Sequence, residues 1–315
     1  MKTKCLLIGG CGFIGSHLSR KLTMLDRSVT VLDRRNPPEK ERMNDISYIS
    51  GDFSNAKLME QLVSEHDEII HLAYATTPNT SFYNLLADLD QNLHPAIHLF
   101  EAVARKGAKL LLVSSGGTVY GEAISAPISE NHPTQPISPY GITKLTLEKY
   151  AFLYAVTKGL QVVCVRPSNP YGEGQLPFIG QGFISTAMAT VLQGDEVTIF
   201  GKSGTIRDYI YIDDLVNGMV VALDKGKINE VYNIGSGSGL SNFQIINEFR
   251  PLFERSGVDI NVCHAPERPF DVKVNILNSQ KLHSLGWMPA TSINNGLERT
   301  LDWLKIIQSN KKKLL

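Results

Sequence analysis

The chain has 315 residues, enough for two domains or one large α/β unit with an extension, and its 43% hydrophobic content excludes a disordered chain. Lys+Arg and Asp+Glu are 31 each, a neutral balance that excludes an extended basic footprint for nucleic acid or an anionic membrane. No apolar run approaches the ~20 residues of a spanning helix, and the 26 glycines are close to the usual ~7%, so their positions say more than their number.

Short β-rich runs recur at 5–8, 29–32, 68–72, 110–113 and 161–165. Near-continuous apolar runs of this length suit strands covered on both faces, as in a parallel sheet. Between them, 14–25, 55–64, 82–105 and 140–157 read as helices. Within 82–105, Leu85, Leu86, Leu89, Leu93, Ile97 and Phe100 recur every three to four residues. The alternation predicts an α/β fold with a doubly wound parallel sheet of Rossmann type, its strand C-termini and the loops after them on one edge. After Arg166 the pattern breaks into a Pro- and Gly-rich stretch from Pro167 to Gly182. Helices at 184–193, 213–223, 242–255 and 293–307 follow, with short strands at 197–200 and 231–234. We therefore expect a dinucleotide domain over 1–168, with return segments near 197–224, and a smaller, mixed α/β substrate domain mainly over 169–315. The closing Lys311-Lys312-Lys313 reads as a solvated tail.

Cys5, Cys11, Cys164 and Cys263 are too few and too scattered for a disulfide framework, and they contain no CxxC pair. Cys5 and Cys164 fall inside β-like runs, where a free cysteine acts as a small core residue. Met1-Lys2-Thr3-Lys4 leads straight into the first strand without a secretory apolar region, so a cytoplasmic protein is expected. His17, His94, His98 and His132 lack metal-ligand spacing, and no metal is expected.

Gly9-Gly10-Cys11-Gly12-Phe13-Ile14-Gly15 follows the first strand and opens the first helix. Glycine there permits a tight turn and a close approach of backbone to a pyrophosphate, while the helix N-terminus brings N–H donors and partial positive charge. Three spaced glycines are a weak signal alone, but these sit in the first βα unit, where the mechanism requires them. Asp33 closes the second strand, placed to accept hydrogen bonds from adenosine ribose hydroxyls, which favours NAD. Arg34 and Arg35 keep NADP open, since an arginine there can receive a 2′-phosphate.

Tyr140-Gly141-Ile142-Thr143-Lys144 places a phenol and an ammonium one helical turn apart. With a positive nicotinamide ring near both, phenolate would be favoured and the tyrosine pKa brought toward neutrality. Taken with the glycine turn, this pair resembles the short-chain dehydrogenase/reductase superfamily, in its extended branch of NAD-dependent nucleotide-sugar epimerases and dehydratases. The resemblance spans nearly the whole chain. Gly51-Asp52-Phe53, His71-Leu72-Ala73, Ser114 to Gly121, Arg166 to Gly172, Arg207 to Asp214 and Tyr232-Asn233-Ile234-Gly235 occur in the family's order.

The resemblance implies NAD as cofactor and assigns residues to it. Gly9, Gly12, Phe13, Ile14 and Gly15 would take the pyrophosphate, Asp33 and Arg34 the ribose of the adenosine, and Asp52 and Phe53 the adenine. Leu72, Ala73 and Asn92 would line its central portion, with Ser114 also on the cofactor side. Tyr140 would be the catalytic acid/base, with Lys144 holding the nicotinamide ribose and lowering the tyrosine pKa. Asn169 and Phe200 would meet the sugar nucleotide, Arg207 and Arg268 its diphosphate, and Asp271 the nucleoside; guanidinium forks suit phosphate oxygens.

Departures from the family pattern narrow the chemistry. Gly116 stands where many relatives carry a serine or threonine that hydrogen-bonds the reacting hydroxyl. Thr118, Ser115 or an ordered water is left to supply that donor, with Thr118 ranked first as a catalytic residue because its position faces the sugar in relatives. Gly117-Thr118 stands where dehydratases carry an Asp-Glu pair, and neither residue provides the acid and base that elimination needs. Decarboxylases tend to carry a glutamate at the second of these positions. Asn275 replaces a bulky tyrosine of some relatives, which would admit an N-acetyl group at C2, and Gln181-Gly182 replaces the Asn-Leu expected near the nucleoside.

The expected reaction is 4-epimerisation of a UDP-hexose, UDP-N-acetylhexosamine or UDP-hexuronate through a 4-keto intermediate, without net oxidation. The alternatives are a nucleotide-sugar 4-reductase or dehydratase-type enzyme, and a non-catalytic NAD-binding protein of the same fold. A nucleotide-diphosphate sugar is the expected partner, with no nucleic acid and no membrane. The helices at 82–105 and 140–157 would form a four-helix homodimer interface in this family, although their apolar faces suit burial against the sheet equally.

Overall fold

Strands buried on both faces need apolar residues at every position, and the first half of the chain supplies them. The computed structural model describes residues 2–268 and 271–312. In chain order the elements are β1 (Lys4–Ile8), α1 (Phe13–Met24), β2 (Ser28–Asp33), β3 (Ile46–Ser50), α2 (Ala56–Ser64), β4 (Glu68–His71), α3 (Leu85–Lys106), β5 (Lys109–Val113), α4 (Pro139–Lys158) and β6 (Gln161–Pro167). There follow β7 (Asn169–Tyr171), α5 (Phe183–Gln193), β8 (Val197–Phe200), β9 (Ile206–Tyr211), α6 (Ile212–Lys225) and β10 (Glu230–Ile234). The last are β11 (Gly239–Ser241), α7 (Asn242–Glu254), β12 (Val262–Ala265), β13 (Val274–Asn275), α8 (Gln280–His283) and α9 (Ile293–Lys312).

Seven strands form one sheet in the order β3-β2-β1-β4-β5-β6-β10, every pairing parallel. Alternate residues face opposite sides. Leu7, Val31, Leu111 and Val163 pack with Leu18 and Leu22 of α1 and Leu215 and Met219 of α6. Leu6, Ile8, Leu110 and Val162 pack with Met59 of α2, Leu99 and Val103 of α3 and Leu147 of α4. Strand order reverses between β1 and β4, which opens a crevice at their C-terminal ends. The expected doubly wound sheet is therefore present.

The long helices begin where caps allow. Asn84 accepts from the Ala87 N–H ahead of α3, so that helix starts later than its apolar periodicity suggests, after a 3₁₀ turn at Thr80–Phe82. Ser138 accepts from the Gly141 N–H ahead of α4, and Pro139 takes the first helical position. Both helices end on left-handed glycines, Gly107 and Gly159.

The return segment differs from the expectation. β8 pairs with β12 in a separate two-stranded sheet, whereas α6 covers the main sheet and β10 completes it beyond 224. The strands β7, β9, β11 and β13 form a small mixed sheet; three of them have only two or three residues, too short to show a period. The core on the α1/α6 face continues without a break into the second half through Ile184, Met188, Phe249, Trp287, Leu297 and Leu301. No helix among the described residues is long and apolar enough to cross a membrane. Helix α9 extends through Lys312, so the expected lysine tail begins inside a helix, and Lys313 lies outside the described residues.

Candidate active site

The glycine turn lies at the crevice. Gly9 has φ +85°, and a Cβ there would stand 2.6 Å from the Ala73 nitrogen. Gly15 packs so closely that a Cβ would meet the Gly10 Cα at 2.5 Å. Gly12 is the N-cap of α1 and has no capping side chain. The first helical bond runs from the Ser16 N–H to the Gly12 carbonyl at 2.9 Å, which leaves the first-turn N–H groups of Phe13, Ile14 and Gly15 ahead of it. Asp33 is held from both sides: one oxygen accepts from the Cys11 N–H at 3.0 Å, the other from the Arg34 N–H at 2.8 Å.

A cavity of about 540 Å³ opens here, lined among others by Gly9, Gly12, Asp33, Arg34, Asp52, Phe53, Leu72, Ala73 and Asn92. Nine of the residues expected at the cofactor thus share one cavity. A backbone hydrogen bond from Ser54 holds the Asp52 carboxyl below its ordinary pKa. Phe53 lies against the His71 ring, 4.7 Å between centroids. Asn92 turns its carbonyl oxygen to the Ala75 N–H at 2.8 Å. The Phe13 ring packs edge-on to His17 instead of lining the cavity.

Tyr140 and Lys144 follow from the α4 cap, one turn apart. The Tyr140 N–H donates to Ser81 Oγ at 3.2 Å, and its ring meets Tyr74 at 4.7 Å. Lys144 is buried; its Nζ donates to the Val113 carbonyl at 2.9 Å and lies 4.2 Å from the Tyr74 ring centroid and 5.7 Å from that of Tyr140. Burial lowers the Lys144 pKa to about 8. The chain by itself does not lower Tyr140: burial, and after it the Asp88 carboxylate, push the phenol up. The lowering expected from the sequence therefore needs further positive charge beside the ring.

The Ser114–Thr118 stretch continues from β5. Ser114 Oγ and Thr118 Oγ1 are buried and have no hydrogen-bond partner among the described residues. Gly116 has a structural cause. A Cβ there would meet Leu277 Cδ1 at 2.5 Å and the Arg166 carbonyl at 2.9 Å, so position 116 faces packed core and not an open site. Asn275 is also buried, its Nδ2 donating to the Gly116 carbonyl at 2.9 Å while its Oδ1 has no partner among the described residues. The two departures from the family pattern are thus in contact.

On the other side of the site, Asn169 Nδ2 donates to the Asp208 carbonyl at 3.3 Å. Arg207 is half-buried, and burial lowers its pKa; Nη1 donates to the Ile206 carbonyl, with Asp271 and Glu122 acting on it at longer range. The Arg268 guanidinium stacks 3.5 Å over the Phe200 ring and lines a second cavity of about 360 Å³ with Asn79, Phe82 and Tyr83. Neither arginine has a salt bridge among the described residues.

Sequence reasoning missed Tyr74, Ser81 and Asp88. Asp88 did leave a signal: it lies four residues before Asn92, and both are buried on the α3 stripe that also holds Ala96, Leu99 and Val103. A carboxylate on a stripe otherwise meant for core is informative.

Comparison with known proteins agrees with this geometry. A UDP-glucose 4-epimerase of Lacticaseibacillus casei is 31% identical over 320 residues, covering 94% of this chain and 95% of that protein. The crystal structure of a UDP-glucose 4-epimerase with UDP-glucose from Thermotoga maritima superposes with a TM-score of 0.90 at 32% identity, covering 97% of this chain and all of the other. A Thermus thermophilus UDP-glucose 4-epimerase in complex with NAD gives 0.87 at 29% identity, covering 96% and 99%. The model of the NAD dependent epimerase/dehydratase family matches residues 5–235, and the chain belongs to that family.

Proposed function

We propose that this protein is a UDP-hexose 4-epimerase that keeps NAD bound and works through a 4-keto sugar, with UDP-N-acetylhexosamines and UDP-hexuronates within its substrate class. The observation that carries this reading is the Tyr140–Lys144 turn packed against the Ser114–Thr118 stretch, where Ser114 Oγ and Thr118 Oγ1 have no hydrogen-bond partner among the described residues. The residues present suit NAD: free N–H groups at the α1 N-terminus for its pyrophosphate, Asp33 for its adenosine ribose, and Asp52 and Phe53 for its adenine. When bound, the nicotinamide would supply reversible hydride transfer at C4 of the sugar.

The chain's own residues supply the rest. Tyr140 takes the proton of the 4-hydroxyl and later gives it back, and Lys144 adds positive charge beside it. Thr118 Oγ1 hydrogen-bonds the reacting hydroxyl, taking the donor role that Gly116 cannot fill. Arg207 and Arg268 grip the diphosphate while the sugar turns, with Asn169, Phe200 and Asp271 beside them. Gly117 and Thr118 offer no acid–base pair for eliminating water, which favours epimerisation over dehydration.

The proposal divides the chain into a cofactor half and a mainly substrate-binding half. It places the protein in the cytoplasm, in keeping with four free cysteines. It also pairs two copies through α3 and α4, where Leu86 is 72% and Val156 85% exposed in the single chain. The test is incubation with UDP-, GDP- and dTDP-sugars and NMR resolution of the products. Conversion at C4 without net change in nicotinamide absorbance is expected, whereas steady NADPH consumption would establish a 4-reductase instead. Tyr140→Phe should lose turnover yet still hold NAD, and unchanged turnover would remove Tyr140 as the base.

A further inference from the structure

Asp88 is fully buried on α3, and among the described residues it has no ion-pair partner. Four side chains bring donors to its carboxylate. Thr143 Oγ1 approaches one oxygen at 2.5 Å and Tyr74 OH the same oxygen at 3.5 Å; Thr76 Oγ1 and Asn92 Nδ2 reach the other, the latter at 3.4 Å. Three hydroxyls and an amide around two oxygens suit a carboxylate, which only accepts. These donors come from three places: the loop after β4, the cofactor-facing Asn92, and the helix turn between Tyr140 and Lys144.

We propose that Asp88 is a positioning residue: it clamps Thr143, and with it the Tyr140–Lys144 turn, to the Tyr74–Thr76 loop and Asn92, and it sets a fixed negative charge beside that pair. The proposal rests on Tyr140 as the base. Other titratable groups near the pair do not cancel this charge. Glu148, one turn further along α4, is neutralised by Arg166 through hydrogen bonds of 2.9 and 2.6 Å. Burial keeps the Cys164 thiol of β6 and the Tyr74 phenol protonated, and keeps His71 of β4 neutral. Asp88 thus opposes loss of the Tyr140 proton and favours the Lys144 ammonium. A phenolate would then form only once positive charge from the bound nicotinamide is added, so the empty protein would carry no strong base in its open cleft.

The test reads Tyr140 directly, by ultraviolet titration of phenolate in the NAD-loaded protein, each variant referenced to its Tyr140→Phe counterpart. Asp88→Asn keeps the shape and removes the charge, and Tyr140 should then ionise about one pH unit or more lower. The acid limb of turnover should move the same way. Asp88→Ser provides the same reading should the amide variant not fold. Thr143→Val keeps the charge but cuts the clamp; its kcat should fall about tenfold to a hundredfold with KM retained and the titration unmoved. A Tyr140 titration that does not respond to loss of the Asp88 charge overturns the proposal. If no sugar is turned over by the unaltered protein, the epimerase reading fails, while the phenolate titration still judges Asp88.

Discussion

Replacing Gly9 by alanine tests the crevice most directly. At φ +85° a residue with a Cβ sits in the left-handed region, at about 1–2 kcal/mol. That Cβ would also lie 2.6 Å from the Ala73 nitrogen and 2.7 Å from its Cα, both backbone atoms at the end of β4. Relieving the contact means parting β1 from β4 where they are hydrogen-bonded, Ala73 N–H to Ile8 carbonyl at 2.8 Å, and overpacking of this kind costs about 1–3 kcal/mol. Together the loss is about 2–5 kcal/mol, a fall in melting temperature of roughly 5–15 °C. Gly12→Ala is the control. Its φ is −71° and the nearest atom to an added Cβ is 3.5 Å away, so the fold tolerates it while the methyl group intrudes on the cofactor's approach. Melting followed by circular dichroism and NAD titration by calorimetry separate the two. Gly9→Ala should lose stability and NAD together; Gly12→Ala should keep stability and weaken NAD about tenfold. If both variants melt alike, the close approach of β1 to β4 is not what demands glycine.

Lys144 has a folded pKa of about 8 against its ordinary 10.5. Between these values the unfolded chain holds a proton that the folded chain has lost, so stability rises with pH through that window. Lys144→Met should therefore abolish turnover yet stabilise the fold at pH 7 by up to about 3 kcal/mol in urea denaturation, and a less stable variant would refute this. Burial drops His71 from 6.5 to about 3, so stability should fall as pH is lowered through that range, by about 1.4 kcal/mol per unit. His71→Leu should flatten the slope; an unchanged slope would acquit the histidine. Arg207→Met and Arg268→Met should each weaken UDP binding about tenfold to a hundredfold while leaving NAD affinity alone. Equal weakening of both ligands by calorimetry would contradict their place on the substrate side.

Most of the main sheet was legible because its signals are local. Apolar runs of four to seven residues, glycine at a βα turn and Asn or Ser caps each act within a few residues. What escaped is long-range. β10 joins the main sheet only through β6, a pairing no window of sequence reveals. β7, β11 and β13 are held by β9 and not by their own composition. In the site, Asp33 and the Tyr140–Lys144 spacing could be read directly. The meaning of Gly116 could not: its missing side chain is filled by Leu277, a residue 161 positions away.

Unsatisfied groups locate the chemistry without reference to any motif. Folded chains pair nearly all their buried polar atoms, so those left over mark strain, a place for ordered water, or a place for a ligand. Among the described residues the buried side-chain atoms without a partner are both ring nitrogens of His71, Ser114 Oγ, Thr118 Oγ1, Asn275 Oδ1, Asn36 Oδ1 and His283 Nε2. His71 lies against Phe53 of the cofactor-side cavity, Thr118 against the Tyr140–Lys144 turn, and Asn275 against Gly116. Lys144 is buried and Arg207 half-buried, each shifted by desolvation toward its neutral form. The desolvation of Lys144 and Arg207 lowers stability in the chain alone, and a bound dinucleotide and diphosphate would relieve it by adding negative charge beside them. NAD and UDP together should therefore raise the melting temperature more than NAD alone. Equal melting with and without UDP would show that Arg207 and Arg268 do not await a phosphate.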